Sequence, residues 1–284
     1  MKRIPTHIVQ KLSDNSGKDI ALYLANLQKI KMDIASANLQ NTKMERDSGK
    51  EDTIILFGNY DETPIQFDMA TGHTYDFKGV KEVCIQTTLG VKMRMTVLLA
   101  ILSNGIMLPP LFIFNTKKKL PEELIKKYGK DCLLFANQNG WITEDILLEW
   151  FDKIWLNLNI SENTKPVLIF DKCRVHISAK VLEYLEKKEI LYQVIPAGTT
   201  GYLQPLDVSI NRPIKVAIKV KFDNWYQSYG ISEDNKTNAG YLRPPSYDML
   251  IKWTLEASRE INSDVIIHSF KTTGNYFSIS FYNI

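Results

Sequence analysis

The chain has 284 residues, 44% of them hydrophobic and 24% charged, with 35 Lys and Arg against 32 Asp and Glu for a formal charge of +3. These values exclude a disordered chain or a small disulfide scaffold and suggest one or two domains with a substantial core. So slight a basic excess confines any nucleic-acid surface to a local patch. Three widely spaced cysteines, Cys84, Cys132 and Cys173, with no CxxC pair, point to reduced thiols in a cytosolic or nuclear setting and away from structural zinc. No apolar run approaches the roughly 20 residues of a membrane span, and the start "MKRIPTHIVQKL" lacks the apolar stretch of a signal peptide. The reading is a soluble intracellular protein without a membrane partner.

In chain order, Ile20, Leu24, Leu27, Ile30 and Ile34 fall at three- and four-residue steps and predict an amphipathic helix over 18–38. The polar stretch "NTKMERDSGKED" (41–52) reads as a linker, so that 1–52 form an N-terminal arm. Strand-like runs follow: "TIILFG", "KEVCIQTT", "MTVLLAIL" and "LPPLFIFNT", with "SNG" at 103–105 as a hairpin turn between the last two. A helix over about 143–158 is opened by Thr143, a strand spans 167–170, and Ser178 caps a helix over 178–188. The strand "LYQVIP" leads through "AGTTGYLQPLD" to a helix that tolerates Pro213 in its first turn. A polar loop over 228–246 precedes a last helix, "YDMLIKWTLEASREI". Antiparallel strands first and βαβ units afterwards predict an α/β domain with a mixed sheet, 53–228, with 229–284 as a loop and helix packed on it.

Few acids end an apolar run. "TIILFGNYDE" brings Asp61 and Glu62 a few residues past a strand, "VLIFD" brings Asp171 to a strand end, and "YLQPLD" brings Asp207 to the start of a helix. Strand ends open into the crevice where ligands bind in such sheets. Carboxylates that converge without a basic partner repel and raise one another's pKa, and a hard cation between the oxygens relieves this. Mg²⁺ prefers oxygen ligands, and two ions roughly 3.5–4 Å apart stabilise both attacking and leaving oxygens of a phosphoryl displacement. Capping and solvation are commoner fates for any one such acid. The 35 residues between Asp171 and Asp207 leave room for a helix–strand crossover. Pattern alone does not choose Asp61 over Glu62 or Asp68.

Five ordered blocks carry a resemblance: "GNYDETPIQFDM" (58–69), "KGVKEVCIQTTLGVKMRMTVLLAILSNGIMLPPLFIF" (78–114), "NQNGWITEDILLEWF" (137–151), "LIFDKCRVH" (168–176) and "LQPLDVSINRPIK" (203–215). The sequence resembles the DDE superfamily transposases of the pogo/Tigger type, relatives of mariner transposases and of centromere protein B. "INSDVIIHSFKTTG" is similar to the family's closing helix and turn. The resemblance implies a ribonuclease H-like fold and places the catalytic, metal-binding acids on Asp61, Asp171 and Asp207, with Glu62 and Asp68 outside. It further implies two Mg²⁺ ions, replaceable by Mn²⁺, no organic cofactor, DNA as partner, a TA dinucleotide target, dimeric assembly and a nuclear location. A water would cut a phosphodiester, and the freed 3′-hydroxyl would attack target DNA at the same centre.

Arg212, Lys215 and Lys219 share one helix face after Asp207 and are candidates for DNA-backbone contact, a solvated face being the alternative. His176, a tempting metal ligand, is read as structural or as a DNA-backbone contact. Cys173 is expected to pack the strand–helix turn, "NTKKKLPEELIKKYGK" to be a solvated loop, and the five tryptophans to pack the core. The match is incomplete: the helix-turn-helix DNA reader that usually precedes such a domain is missing, and Ser209 stands where the family commonly has Gly. Two readings follow, a metal-dependent DNA endonuclease and strand transferase, or a catalytically silent remnant that binds nucleic acid or protein.

Overall fold

Alternation of side chains organises the molecule. In the computed structural model, which describes residues 16–44, 53–69, 87–90 and 93–276, successive residues of the central strands point to opposite faces. Phe57, Ile65, Val97, Leu99, Val167 and Ile169 face one core, while Leu56, Tyr60, Leu98, Ala100, Leu168 and Phe170 face the other. Both faces are buried, so the strands read as near-continuous apolar runs.

The strands are β1 (Ile54–Gln66), β2 (Arg94–Leu102), β3 (Leu111–Asn115), β4 (Leu133–Asn137), β5 (Thr164–Phe170) and β6 (Leu191–Val194). They form one mixed sheet in the order β4-β3-β2-β1-β5-β6. β2 is antiparallel to β1 and β3; the other three pairings are parallel. The helices are α1 (Ser16–Met44), α2 (Glu122–Tyr128), α3 (Glu144–Lys153), α4 (Ala179–Lys187), α5 (Thr200–Leu203), α6 (Asn211–Trp225), α7 (Tyr247–Arg259) and α8 (Ser263–Thr272). α3 and α4 cover one face, and α1, α6, α7 and α8 the other. Fully buried Trp150, Phe112 and Phe114 each contribute about 1.5–3 kcal/mol of hydrophobic stabilisation. Among the described residues, no helix is long and apolar enough to cross a membrane.

Most expected elements are present. Thr143 accepts from the Ile146 N–H at 3.4 Å and Ser178 from the Val181 N–H at 3.4 Å, as N-caps. The 103–105 turn joins antiparallel strands, with Leu102 N–H donating to the Ile106 carbonyl at 2.8 Å. Expected "KEVCIQTT" lies outside the described residues except for Thr87 and Thr88.

Three differences have physical reasons. β1 extends to Gln66, so Asp61 and Glu62 lie within it rather than past its end. Beyond Asn59 this strand pairs, among the described residues, only with β2, and the side without a described partner is where Pro64 is tolerated. α2 emerges from the stretch 115–130 expected to be a solvated loop, and β4 from residues just after it that carry no strand signal, because five residues beside β3 suffice for a parallel edge. Finally, α1 is part of the body: Tyr23 and Leu27 are buried, and the Tyr23 hydroxyl donates to Asn275 Oδ1 at 2.7 Å.

Gly58 on β1 lies against Trp155, where an added Cβ would come within 2.4 Å of the indole. Gly58→Ala is expected to destabilise the fold by about 1–3 kcal/mol through overpacking, measured by urea denaturation. An unchanged midpoint would contradict that packing.

Candidate active site

β1 separates its two neighbouring acids. Asp61 lies on the face of Asn59 and Phe57, towards α6, whereas Glu62 lies on the face of Tyr60, towards the turn before α4. Register places Asn59 beside Ile169 of parallel β5, so Asp171 emerges next to Asp61 at the strand's carboxyl end. Asp207 arrives on a π-helical turn, Leu206–Ile210, that leads into α6. Buried Asn59 ties the three segments: its Nδ2 donates to the Ile169 carbonyl at 2.9 Å, and its Oδ1 accepts from Leu206 N–H at 3.1 Å.

Asp61 and Asp207 are brought together by Asn211, whose Nδ2 donates to Asp61 Oδ2 at 3.1 Å and to Asp207 Oδ1 at 3.0 Å. Gln204 Nε2 donates to the other Asp207 oxygen at 3.3 Å. Burial drives the Asp61 carboxyl well above the usual range, and the charges of Asp207, Glu62 and Asp171 add to this against the Asn211 hydrogen bond. Among the described residues, no ion pair reaches Asp61 or Asp207. Asn211 Oδ1 and Gln204 Oε1 are buried without partners beside them.

Asp171 accepts Cys173 N–H at 3.0 Å and His176 Nδ1 at 2.7 Å, both on Oδ1, which leaves Oδ2 without a partner among the described residues. His176 Nε2 donates to Glu62 Oε1 at 2.9 Å, and Tyr60 packs edge-on against the ring at 4.9 Å. Burial opposes charge on His176, but the Glu62 charge and the hydrogen bonds to Asp171 and Glu62 outweigh it and raise the ring to about 11. Burial would likewise raise Asp171, yet the His176 bond and charge and the Cys173 amide lower it.

These contacts correct one expectation. His176 is 0% exposed with both nitrogens engaged, so it does not contact a DNA backbone; it is a buried cation between two carboxylates. Glu62, Cys173 and His176 are the one set of three such donors within 4.8 Å among the described residues. Both ring nitrogens of His176 are hydrogen-bonded to carboxylates, so the set as it stands is a hydrogen-bonded cluster. The carboxyl groups of Asp61, Asp171 and Asp207 do not converge to that distance, although they lie close enough for Asp171 and Asp207 to act on Asp61. Asp68 accepts Thr88 N–H at 2.6 Å and is a loop anchor. Arg212, Lys215 and Lys219 line one open groove with Asp207 and Asn211, and Lys219 is paired with Asp223. Cys173 is half-buried and Cys132 buried, where burial pushes its thiol up to about 12. Trp150, Trp155, Trp225 and Trp253 are buried as expected, but Trp141 is 54% exposed.

A family model described as DDE superfamily endonuclease matches residues 92–270. The chain belongs to that family. It is 27% identical over 219 residues to "Pogo transposable element with KRAB domain" of Homo sapiens, and equally to that of Mus musculus, covering 77% of this chain and 35% of each relative. "Pogo transposable element with ZNF domain" of Homo sapiens is 32% identical over 135 residues, 48% of this chain and 9% of that protein. The chain thus spans about a third of the length of the first two relatives. Among solved structures, the Mos1 strand transfer complex matches with a TM-score of 0.52 at 12% identity, covering 96% of this chain and 63% of that one. The mariner Mos1 paired end complex with Mg matches at 0.50 and 12%, covering 96% and 64%. The fold of this DDE family member is ribonuclease H-like.

Removing His176 leaves two carboxylates facing each other, so His176→Ala is expected to cost about 3 kcal/mol of unfolding free energy near pH 6.5. A raised folded-state value makes this stabilisation complete below the unfolded histidine pKa of about 6.5 and lost as pH climbs. The wild-type advantage should therefore narrow towards about pH 11. A difference that stays flat across that span contradicts a protonated ring.

Proposed function

We propose that this chain carries the strand-cleavage and strand-transfer centre of a pogo-type transposase, acting on DNA phosphodiesters with Mg²⁺ or Mn²⁺ held by Asp61, Asp171 and Asp207. The observation that carries this reading is Asp61: a buried carboxyl repelled by Asp207, Glu62 and Asp171, with an amide and no cationic side chain beside it. Such an arrangement destabilises the metal-free fold and is relieved by a hard cation. The donors fit one, since Asp61 Oδ1 and Asp171 Oδ2 have no partner among the described residues and the three aspartates offer only oxygen.

Two divalent ions bound there would activate water and neutralise charge on the scissile phosphate. The chain's own residues do the rest. His176 fixes Asp171 through Oδ1, so the carboxylate presents its other oxygen to the crevice. Asn211 sets the spacing of Asp61 and Asp207 as a donor to both and would yield to a cation that binds the two carboxylates. Arg212, Lys215 and Lys219 supply phosphate contacts along the adjoining groove, which orient the strand without reading its sequence. Hydrolysis frees a 3′-hydroxyl, and attack of that hydroxyl on a second phosphodiester, breaking its P–O3′ bond and releasing that strand's own 3′-hydroxyl, joins the strands, so no protein nucleophile is required. Assembly as a homodimer on DNA and action in the nucleus belong to the same proposal.

The test pairs activity with stability. Wild-type protein should nick or join plasmid DNA only with Mg²⁺ or Mn²⁺, and Asp171→Asn should abolish this. Asp61→Asn should raise the melting temperature of the metal-free protein while removing any further rise on adding Mn²⁺. No cleavage by wild type, together with no metal-dependent stabilisation and no gain from Asp61→Asn, sinks the reading in favour of a silent remnant.

A further inference from the structure

We propose that Trp141 and Arg94 form a stacking platform for an unpaired base of a DNA strand, with Lys117, Lys118 and Lys119 holding its phosphates. The proposal rests on the DNA-processing reading for its choice of polynucleotide, but on separate residues and a separate measurement.

Trp141 is 54% exposed, whereas the other four tryptophans are 8% exposed or less. Solvent exposure of an indole is costly in apolar area, and here the loop that causes it is built rather than slack. Asn137 Nδ2 donates to the Trp141 carbonyl at 2.7 Å, and Asn137 Oδ1 accepts Asn139 N–H at 3.1 Å and Gly140 N–H at 2.6 Å. Buried Thr96 donates its hydroxyl to the Gly140 carbonyl at 2.6 Å. Gly140 has φ of +63°, and a Cβ there would stand 2.8 Å from that of Asn115, so the turn admits only glycine. Arg94 lies over the indole with its guanidinium carbon 4.1 Å from the ring centroid.

The surroundings select a polyanion. Arg94 makes no ion pair among the described residues, and neither do the exposed Lys117, Lys118 and Lys119, which continue directly from the end of β3 at Asn115. All these groups occupy the sheet end that carries Asp171. Arg94 pairs with Gln66, five residues along β1 from Asp61, a distance of about 17 Å at strand rise. That is about half of a duplex turn of roughly 34 Å, within reach of one bound strand. Four unneutralised cations around an aromatic plane held by an arginine match the way single strands are bound, by stacking within a basic groove. A second copy of this chain would meet the same uncompensated charge.

Tryptophan emission tests this on the full chain without divalent metal. Single-stranded oligothymidylate should quench and shift Trp141 emission; an abasic strand of the same length should bind without that change. Trp141→Ala should weaken oligothymidylate binding roughly five- to hundredfold at unchanged melting temperature, and Trp141→Phe should restore most of it. Combined Lys117→Ala, Lys118→Ala and Lys119→Ala substitutions should lower the salt dependence for both strands. Equal quenching by the abasic strand, or no effect of Trp141→Ala on binding, overturns the platform. So does a change confined to self-association in sedimentation, which assigns the face to a contact between copies. Plasmid nicking that fails while Trp141 still responds to bases refutes the cleavage reading alone.

Discussion

The electrostatics of one buried carboxyl governs the arrangement around it. Asp61 sits in a central strand of the sheet, out of water and within reach of the charges of Asp207, Glu62 and Asp171, with only the amide of Asn211 among the described residues to offset them. The opposite solution lies on the other side of the same strand, where protonated His176 neutralises Glu62 and Asp171 together. One acidic cluster thus holds an internal cation and the other does not, and the unneutralised one opens to the groove of α6. Desolvation penalises an unpaired charge far more than it penalises a paired one. Asp61 is consequently the carboxyl whose ionisation burial and neighbouring like charge oppose together.

Backbone geometry produces this division without further design. A period of two sends Asp61 and Glu62 to opposite faces, and a single polar residue, Asn59, keeps the three acid-bearing segments in register. It joins β1 to the end of β5 and to the turn that carries Asp207. The nitrogen and the oxygen of that side-chain amide are both spent on backbone partners, so the carboxylates inherit their positions from the sheet rather than from loops. The same sheet end presents the Trp141 turn, fixed by Asn137 and Thr96.

Much of this is legible from sequence. Apolar runs, the 103–105 turn and the Thr143 and Ser178 caps give the mixed sheet and its helices, because each is a local signal. Acids near the ends of apolar runs mark candidates, and the ordered family blocks imply Asp61 where pattern does not choose it. The roles of His176 and Trp141 escape such reading. Burial of His176 depends on Glu62, 114 residues away, and exposure of Trp141 depends on a hydroxyl from β2. Neither long-range contact leaves a periodic trace. β4 is equally silent, since a five-residue edge strand is set by its neighbour β3.

Anomalous diffraction from crystals equilibrated with Mn²⁺ tests the central claim most directly. The account predicts density between Asp61, Asp171 and Asp207, with Asn211 displaced from at least one of its two carboxylates and His176 still bonded to Glu62. Manganese density at Glu62, Cys173 and His176 instead, or none near Asp61 at saturating metal, would contradict it.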